Sequence, residues 1–341
     1  MDDSQIGMSC NGAIKLGRDV TCDGFVAGYK YRVQTHIHED HMCQFDCSKG
    51  FQTIIMSEAT KSFLELRHLD ITARENVVSL PIDGTHINNG IEIQLLSSGH
   101  MLGAVQVEVT TSTGDRLGYS GDFSWPLERV IQVESLVLDS TYGDPRSIRH
   151  YSQEDANDYF KEIILRRIKR GPIIIKGHRG TLYRAFELLN ELVPNPVIAN
   201  KKKIEEAKVC EKQGYCVCSM YDLDLPDVKK MKREETYIGL YYMGEQIPYD
   251  RRDVTVINLT AHWVHGIEPF LEISDTSYQI AVSDHADFNE TLEYVRATGA
   301  KVVLTDSLRS NHAKELASAI RRSLGINAKA AKPIYSREWG V

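Results

Sequence analysis

No stretch of this sequence approaches the roughly 18 consecutive apolar residues that a membrane-spanning helix requires, so no membrane partner is expected. The opening residues, MDDSQIGMSC, are acidic and lack a basic segment followed by an apolar core. A secretory leader is therefore not expected, and the cytoplasm is the expected location. Cysteine is sparse: seven in 341 residues, an odd number at irregular spacing, which excludes a disulfide framework. The close pairs, Cys43 with Cys47 and Cys216 with Cys218, have no second pair at zinc-ribbon spacing and read as reduced thiols. There is no internal repeat and no low-complexity tract, so neither a solenoid nor a disordered array is expected.

Positive charge is also in deficit. Lys and Arg number 40 against 47 Asp and Glu, for a net charge of −7, which taken whole argues against an acidic partner. The distribution is uneven, however. Residues 146–262 hold 21 Lys and Arg against 17 Asp and Glu, while the rest of the chain holds 19 against 30. The middle contains the clusters RRIKR (166–170), KKK (201–203) and KKMKRE (229–234). Local basic surface is sufficient for phosphate binding whatever the net charge, although each cluster also reads as a solvated helix face.

The rest of the composition is that of a folded protein, with 42% hydrophobic and 26% charged residues. The first 145 residues are β-rich, with short apolar or alternating runs punctuated by glycine: 51–57, 91–97, 104–110, 116–122 and 135–141. One helix is expected at 58–68. From about 150 the pattern changes to strand–helix alternation, which signals a parallel sheet with crossover helices. Helices are expected at 152–170 with Ser152 as N-cap, at 181–192 and at 201–214; strands are expected at 172–176, 196–200 and 215–220. Strand, helix, strand and helix follow at 278–284, 289–299, 301–307 and 311–325. A β-rich αβ domain split by an α/β insertion is the expected organisation.

Residues 36–41 read HIHEDH. Imidazole nitrogens and carboxylate oxygens are natural zinc ligands. His36 and His38 alternate, so on extended backbone they point the same way, while Asp40 and His41 follow and can face a second position. One short loop can then serve two metals. SSGHMLGA (97–104) places His100 at a strand end between glycines, and YSGDFSWP (119–126) does the same for Asp122, whose two oxygens can bridge a pair of ions. The aromatic run TYIGLYYM (236–243) could stack on nucleobases but at alternating spacing reads as a buried strand. His312 reads as a helix-face residue. His262 and His265 match no motif, and His68, His86 and His150 carry no signal.

H-x-H-x-D-H, then a strand-end G-H-x-x-G-A, then a strand-end S-G-D-F, in this order, resemble the metallo-β-lactamase fold. The SGDF form followed by SLVLDSTYGDP (135–145) is similar to its nucleic-acid-processing branch, the β-CASP nucleases. GPIIIKGHRGTLYRAFELL (171–189) and IAVSDHADFNETLEYVRATGAKVVLTD (280–306) resemble that branch's insert and return segments, so the resemblance spans residues 20–330. It implies an αββα sandwich interrupted by an inserted α/β β-CASP domain, with 1–148 and 273–341 forming the sandwich and 149–272 the insert.

The resemblance also implies roles. His36, His38 and His100 would hold one Zn2+, Asp40 and His41 a second, with Mn2+ an alternative there, and Asp122 would bridge. Asp23 would orient a ligand histidine. His285 would contact the scissile phosphate or protonate the leaving oxygen, with Asp139 as its hydrogen-bond partner. His178, Arg179 and Ser283 would meet the substrate. One departure stands out: where RNA-processing members carry V-H-G-E, this chain has Thr305-Asp306-Ser307. Asp306 could donate an oxygen to the second metal, or that site could be weaker, as in the DNA-repair branch. The expected activity is hydrolysis of phosphodiester bonds in single-stranded RNA or DNA, with RNA preferred and a homodimer admitted. A DNA-repair-type exonuclease, a small-molecule thioester hydrolase on the same metal core and a non-catalytic RNA-binding scaffold are the competing readings.

Overall fold

A computed structural model describes residues 5–190, 192, 196–234, 236–247, 253–260 and 267–333. The chain is an α/β protein with mixed sheets, divided into two compact units. One comprises residues 1–148 and 285–341, the other residues 149–284.

The first unit contains two sheets. In one, the strands Ile6–Met8, Ile14–Leu16, Val20–Cys22, Tyr31–Gln34, Thr53–Ser57 and Val77–Leu80 lie side by side in sequence order, the first three antiparallel and the rest parallel. In the other, the order is Asn327–Ala330, Val302–Thr305, Ser135–Leu138, Arg116–Tyr119, Val105–Thr110, Ile91–Ser97 and Thr85–Asn88. Its first four strands are mutually parallel and the others antiparallel.

Period-2 alternation explains the layering, because successive side chains on a strand face opposite ways. Val33 and Ile55 of the first sheet share one core with Leu95, Val107, Tyr119 and Val137 of the second. The alternate residues Leu96, Leu136 and Leu138 face away from it, into a separate core with Phe288, Tyr294 and Val295 of the helix Phe288–Thr298 and Leu316 and Ile320 of the helix Ala313–Leu324. Phe63 and Leu64 of the helix Glu58–Glu65 are buried too, and this helix packs on the strand Thr53–Ser57 of the first sheet. His312, expected on a helix face, instead occupies the N-cap position of the helix Ala313–Leu324.

The second unit has a sheet ordered Met220–Asp222, Val197–Ala199, Ile238–Tyr242, Ile173–Gly177, Thr255–Leu259, Ser277–Ile280 and Phe270–Ser274, parallel except for the last strand. Its central strand, IIIKG, is an almost continuous apolar run, as a strand covered on both faces must be. The aromatic run at 236–243 supplies the buried strand Ile238–Tyr242. The boundary expected at 272/273 falls inside the final hairpin, where Ser277–Ile280 pairs with Thr255–Leu259. Residues 215–219, expected as strand, are not one: the Tyr215 amide still closes the preceding helix on the Cys210 carbonyl and the Cys218 amide bonds the Phe186 carbonyl, so pairing begins only at Met220.

Two basic clusters turn out to be partly structural. Arg167 is buried and donates to Thr255 Oγ1 at 3.1 Å, and Lys203 is buried against both oxygens of Glu245 at 2.8 and 2.6 Å. None of the seven cysteines is joined to another. Among the described residues no helix is long and apolar enough to cross a membrane.

The helix Phe288–Thr298 starts with a capping box. Asp287 accepts from the Glu290 amide at 2.9 Å, and Glu290 accepts from the Asp287 amide at 2.8 Å. Asp287→Ala should therefore cost about 1 kcal/mol of stability, read as a lower urea midpoint; an unchanged midpoint would show that the cap contributes nothing.

Candidate metal centre

The strands Tyr31–Gln34, Ile91–Ser97, Arg116–Tyr119 and Ser135–Leu138 each hand over to a short turn carrying chemistry. After Gln34 the chain leaves the strand, His38 is extended, and Glu39–His41 then forms a single 3-10 turn that carries Asp40 and His41. His100 sits in the turn after Ser97, and Asp122 follows Gly121, whose φ of +57° and 2.7 Å approach of a built Cβ to the Val105 carbonyl admit only glycine. The Gly103 carbonyl accepts from Ser57 Oγ at 2.6 Å and Thr60 Oγ1 at 3.0 Å, which ties the His100 turn to the start of a helix.

These turns converge. His38 Nδ1 lies 3.1 Å from His100 Nε2. Asp122 Oδ2 lies 3.6 Å from His36 Nε2 and 3.7 Å from His100 Nε2, whereas Asp122 Oδ1 lies 3.2 Å from His41 Nε2. Asp40 Oδ2 is 3.5 Å from His41 Nε2. The two oxygens of Asp122 thus face two different sets of donors. His36, His38, His100 and Asp122 form one group able to hold a metal ion. Tetrahedral zinc with bonds of about 2.0–2.2 Å sets its ligand atoms roughly 3.3–3.6 Å apart, and the separations of 3.1, 3.6 and 3.7 Å lie close to that.

The orphaned atoms give the same indication. Nε2 of His36 and of His41 are buried without an aligned hydrogen-bond partner, a costly state for a polar atom unless something else binds there. The tautomers follow from the other ring nitrogens. Asp23 Oδ2 accepts from His41 Nδ1 at 2.7 Å and from Thr35 Oγ1 at 2.6 Å. The Thr35 oxygen lies 2.9 Å from His36 Nδ1 and, having given its proton to Asp23, accepts from it. With Nε2 deprotonated, both imidazoles would therefore present that lone pair to the same space. Behind them Arg32, fully buried, donates to the His41 and Cys43 carbonyls at 3.1 and 2.9 Å, and Gln34 donates to the His36 and His41 carbonyls at 2.6 and 3.1 Å. Sequence reasoning passed over Thr35, Arg32 and Gln34. The signal was present: YRVQ is buried at all four positions, and two of those four residues are polar.

His285 stands beside the cluster, its ring 4.6 Å from that of His100 and its Nε2 3.9 Å from Asp122 Oδ2. Its Nδ1 lies 3.3 Å from Asp139 Oδ2, while Asp139 Oδ1 is occupied by the Thr141 amide and hydroxyl at 2.9 and 2.8 Å. Tyr142 meets His285 edge-on at 5.8 Å.

Asp306 has other partners. Its Oδ1 accepts from the Leu308 and Arg309 amides at 2.9 and 3.1 Å and its Oδ2 from Arg309 Nη1 at 2.7 Å. His178, Arg179 and Ser283 belong to the second unit. His178 is exposed at the start of the helix Arg179–Asn190, Arg179 pairs with Glu206 at 3.4 Å, and the Ser283 amide donates to Gln153 Oε1 at 3.0 Å. His262 and His265 lie outside the described residues.

Electrostatics polarises the cluster. Burial, then the His41 charge, holds His36 well below its ordinary value, and burial with His100 does the same to His38. Burial is the largest single influence on His41 and opposes its charge, but Asp122 and Asp23 together push His41 up to about 10. Burial opposes ionisation of Asp122, yet His41 and His36 hold its carboxyl well below the usual range.

No family model matches the chain. Over 130 residues, 36% of the chain, it is 32% identical to the human DNA cross-link repair 1A protein. Over 328 residues, 90% of the chain, it is 24% identical to a probable DNA ligase of Opitutus terrae. Over 174 residues, 41% of the chain, it is 23% identical to the transcription termination factor FttA of Methanothermobacter thermautotrophicus. The matched stretches span only 12%, 29% and 27% of those relatives' own lengths. In fold, the chain is similar to a protein of unknown function from Enterococcus faecalis V583, with a TM-score of 0.58 at 15% identity, covering 82% of this chain and 76% of that one.

The metal-free centre should be acid-labile. Below about pH 6.5 the unfolded chain protonates His36 and His38 while the fold keeps them neutral, so stability falls as pH falls. His41, raised to about 10, acts in the other direction: its contribution is full below about pH 6.5 and fades as pH rises through about 10. The urea midpoint of chelator-treated protein should drop between about pH 6.5 and about pH 5.5, where the His41 contribution has stopped growing, and His36→Gln with His38→Gln should remove most of that drop. A pH-independent midpoint would overturn the account.

Proposed function

We propose that this protein is a two-metal nuclease of the β-CASP branch of the metallo-β-lactamase fold, hydrolysing phosphodiester bonds in single-stranded nucleic acid. The observation that carries the reading is the bridging posture of Asp122, one oxygen toward the His36, His38 and His100 donors and the other toward His41. The two sheets sharing a core, with helices packed on their outer faces, and the second unit between Ile148 and His285 support the fold assignment.

His36, His38 and His100 would hold the first ion, Asp40 and His41 the second, and Asp122 both; zinc fits this donor set, with manganese an alternative at the more open second site. A pair of divalent ions supplies an activated water and offsets charge on the phosphoryl oxygens. Asp23 fixes the tautomers of His41 and, through Thr35, of His36. His285 is placed to pass a proton to the leaving oxygen, with Asp139 holding Nδ1 so that Nε2 faces the cluster.

RNA is the strand expected from the sequence. A second reading, a DNA strand, is favoured by the relatives whose names refer to DNA cross-link repair and DNA ligation, the latter matched over 90% of the chain.

End-labelled single-stranded RNA and DNA incubated with the zinc- or manganese-loaded protein should separate these readings by their product ladders. His285→Ala should slow cleavage by roughly 10^2- to 10^4-fold while leaving metal content intact, and Asp40→Ala should lower both. Undiminished cleavage by either variant, or thioester turnover without cleavage of either strand, would sink the proposal.

A further inference from the structure

The segment Asp306–Arg309, which departs from the RNA-processing pattern, reaches the backbone of the Asp40 turn. Arg309 is almost wholly buried, its side chain 8% exposed. Its Nε and Nη2 both donate to the Asp40 carbonyl at 3.2 Å, its Nη2 also reaches the Gly12 carbonyl at 3.0 Å, and its Nη1 meets Asp306 Oδ2 at 2.7 Å. The guanidinium fork therefore grips the backbone of one metal-ligand residue with two donors and is itself held in orientation by a buried carboxylate. Three donors converge at the same time on the two oxygens of Asp306, and among the described residues Asp306 belongs to none of the side-chain groups that could hold a metal ion.

A planar fork is the appropriate group for this, because its donors diverge at fixed angles and reach carbonyl and carboxylate together, which an ammonium does not do. The buried charge is compensated on the spot by Asp306. Asp40 itself needs such support: its side chain is 62% exposed and its turn is a single 3-10 turn of three residues, so nothing in the local secondary structure fixes where its carboxylate points.

We propose that Asp306 and Arg309 are a positioning pair: Arg309 clamps the Asp40 carbonyl, Asp306 orients Arg309 and does not itself ligate metal, and the second ion is held by Asp40, His41 and Asp122 alone. The inference rests on the two-metal reading above. Two consequences follow. The second ion binds more weakly than the first, and its affinity is set by a residue that never touches it.

The test is calorimetric titration of the chelator-stripped 341-residue chain with Zn2+ and with Mn2+, alongside Arg309→Met, Arg309→Lys and Asp306→Asn. The wild-type protein should show two classes of site. Arg309→Met should weaken the second class by roughly 10- to 100-fold, the range typical of losing a group that holds a ligand in place, and leave the first class unchanged, which also certifies the fold. Arg309→Lys, which keeps the charge and loses the fork, should fall between, and in both variants raised Mn2+ should restore cleavage. If Asp306 were instead a ligand restrained by Arg309, Arg309→Met would release it, and second-class affinity would hold or rise; that result overturns the inference. Should Arg309→Met fail to fold, the Lys variant decides by the same criterion. Wild-type protein that binds fewer than two ions defeats the two-metal reading itself, whereas two ions with no response to Arg309 defeats only the clamp.

Discussion

The carboxylate of Asp23 is the contact on which the site's order depends. It is buried, on a backbone with φ of +57°, and accepts from the Thr35 amide and hydroxyl, from His41 Nδ1 and, more distantly, from Gln34. Burying an ionised group without such donors is prohibitive; with them the anion becomes an anchor. It fixes one imidazole directly and a second through the Thr35 hydroxyl, and so determines which nitrogen of each ring remains to do chemistry. Neutral histidine has two tautomers, and a ring that chose the other one would present a proton where a lone pair is required. Asp23 removes that choice at two of the four histidines in the cluster, and the buried Arg32 and Gln34 hold the carbonyls of the same loop.

The scaffold suits that purpose because the groups needing accuracy are at strand ends. His100, Asp122 and Asp139 each follow within a few residues of a strand in one sheet whose outer face is sealed by Phe288, Tyr294 and Leu316. A rigid element positions a side chain better than a loop does. The turns themselves are held by glycine geometry, as at Gly121, and by side-chain bonds to the backbone, as at Gly103. The exception is Asp40, in the middle of a three-residue turn, and it is there that Arg309 reaches in from sequence 269 residues away.

How much of this could be read in advance differs from one level to another. Elements with strong local signals were legible: the cap at Ser152, the helix between Asp287 and Gly299, and the run 91–97 all carry their boundaries in their own residues. The convergence of the side chains at 36, 38, 41, 100 and 122 was legible because ligand chemistry restricts residue types and the glycines beside His100 and Asp122 mark close approach. The positioning residues were harder to see, since Thr35, Gln34 and Arg32 are ordinary residues whose importance lies in what they touch. The three-residue strands at the N-terminus were not resolved either, because strands that short have too few alternations for a period to register. At 215–220, a strand-like composition was overridden by the closing turns of the preceding helix, which take up the Tyr215 amide.

Charge is where composition misled most. KKK at 201–203 and RRIKR at 166–170 look like surface offered to phosphate, yet Lys203 is bound to both oxygens of Glu245 and Arg167 is buried against Thr255. Lys202 and Arg179 are turned toward the Tyr242 ring, and Arg179 is also paired with Glu206. A cation already matched by a buried carboxylate offers little field to a second anion, because moving it away would strand that carboxylate. Counting lysines therefore overstates what the second unit can present to a nucleic-acid backbone. The same reasoning applies to Asp306, whose two oxygens already accept from an arginine three residues along and from two amides.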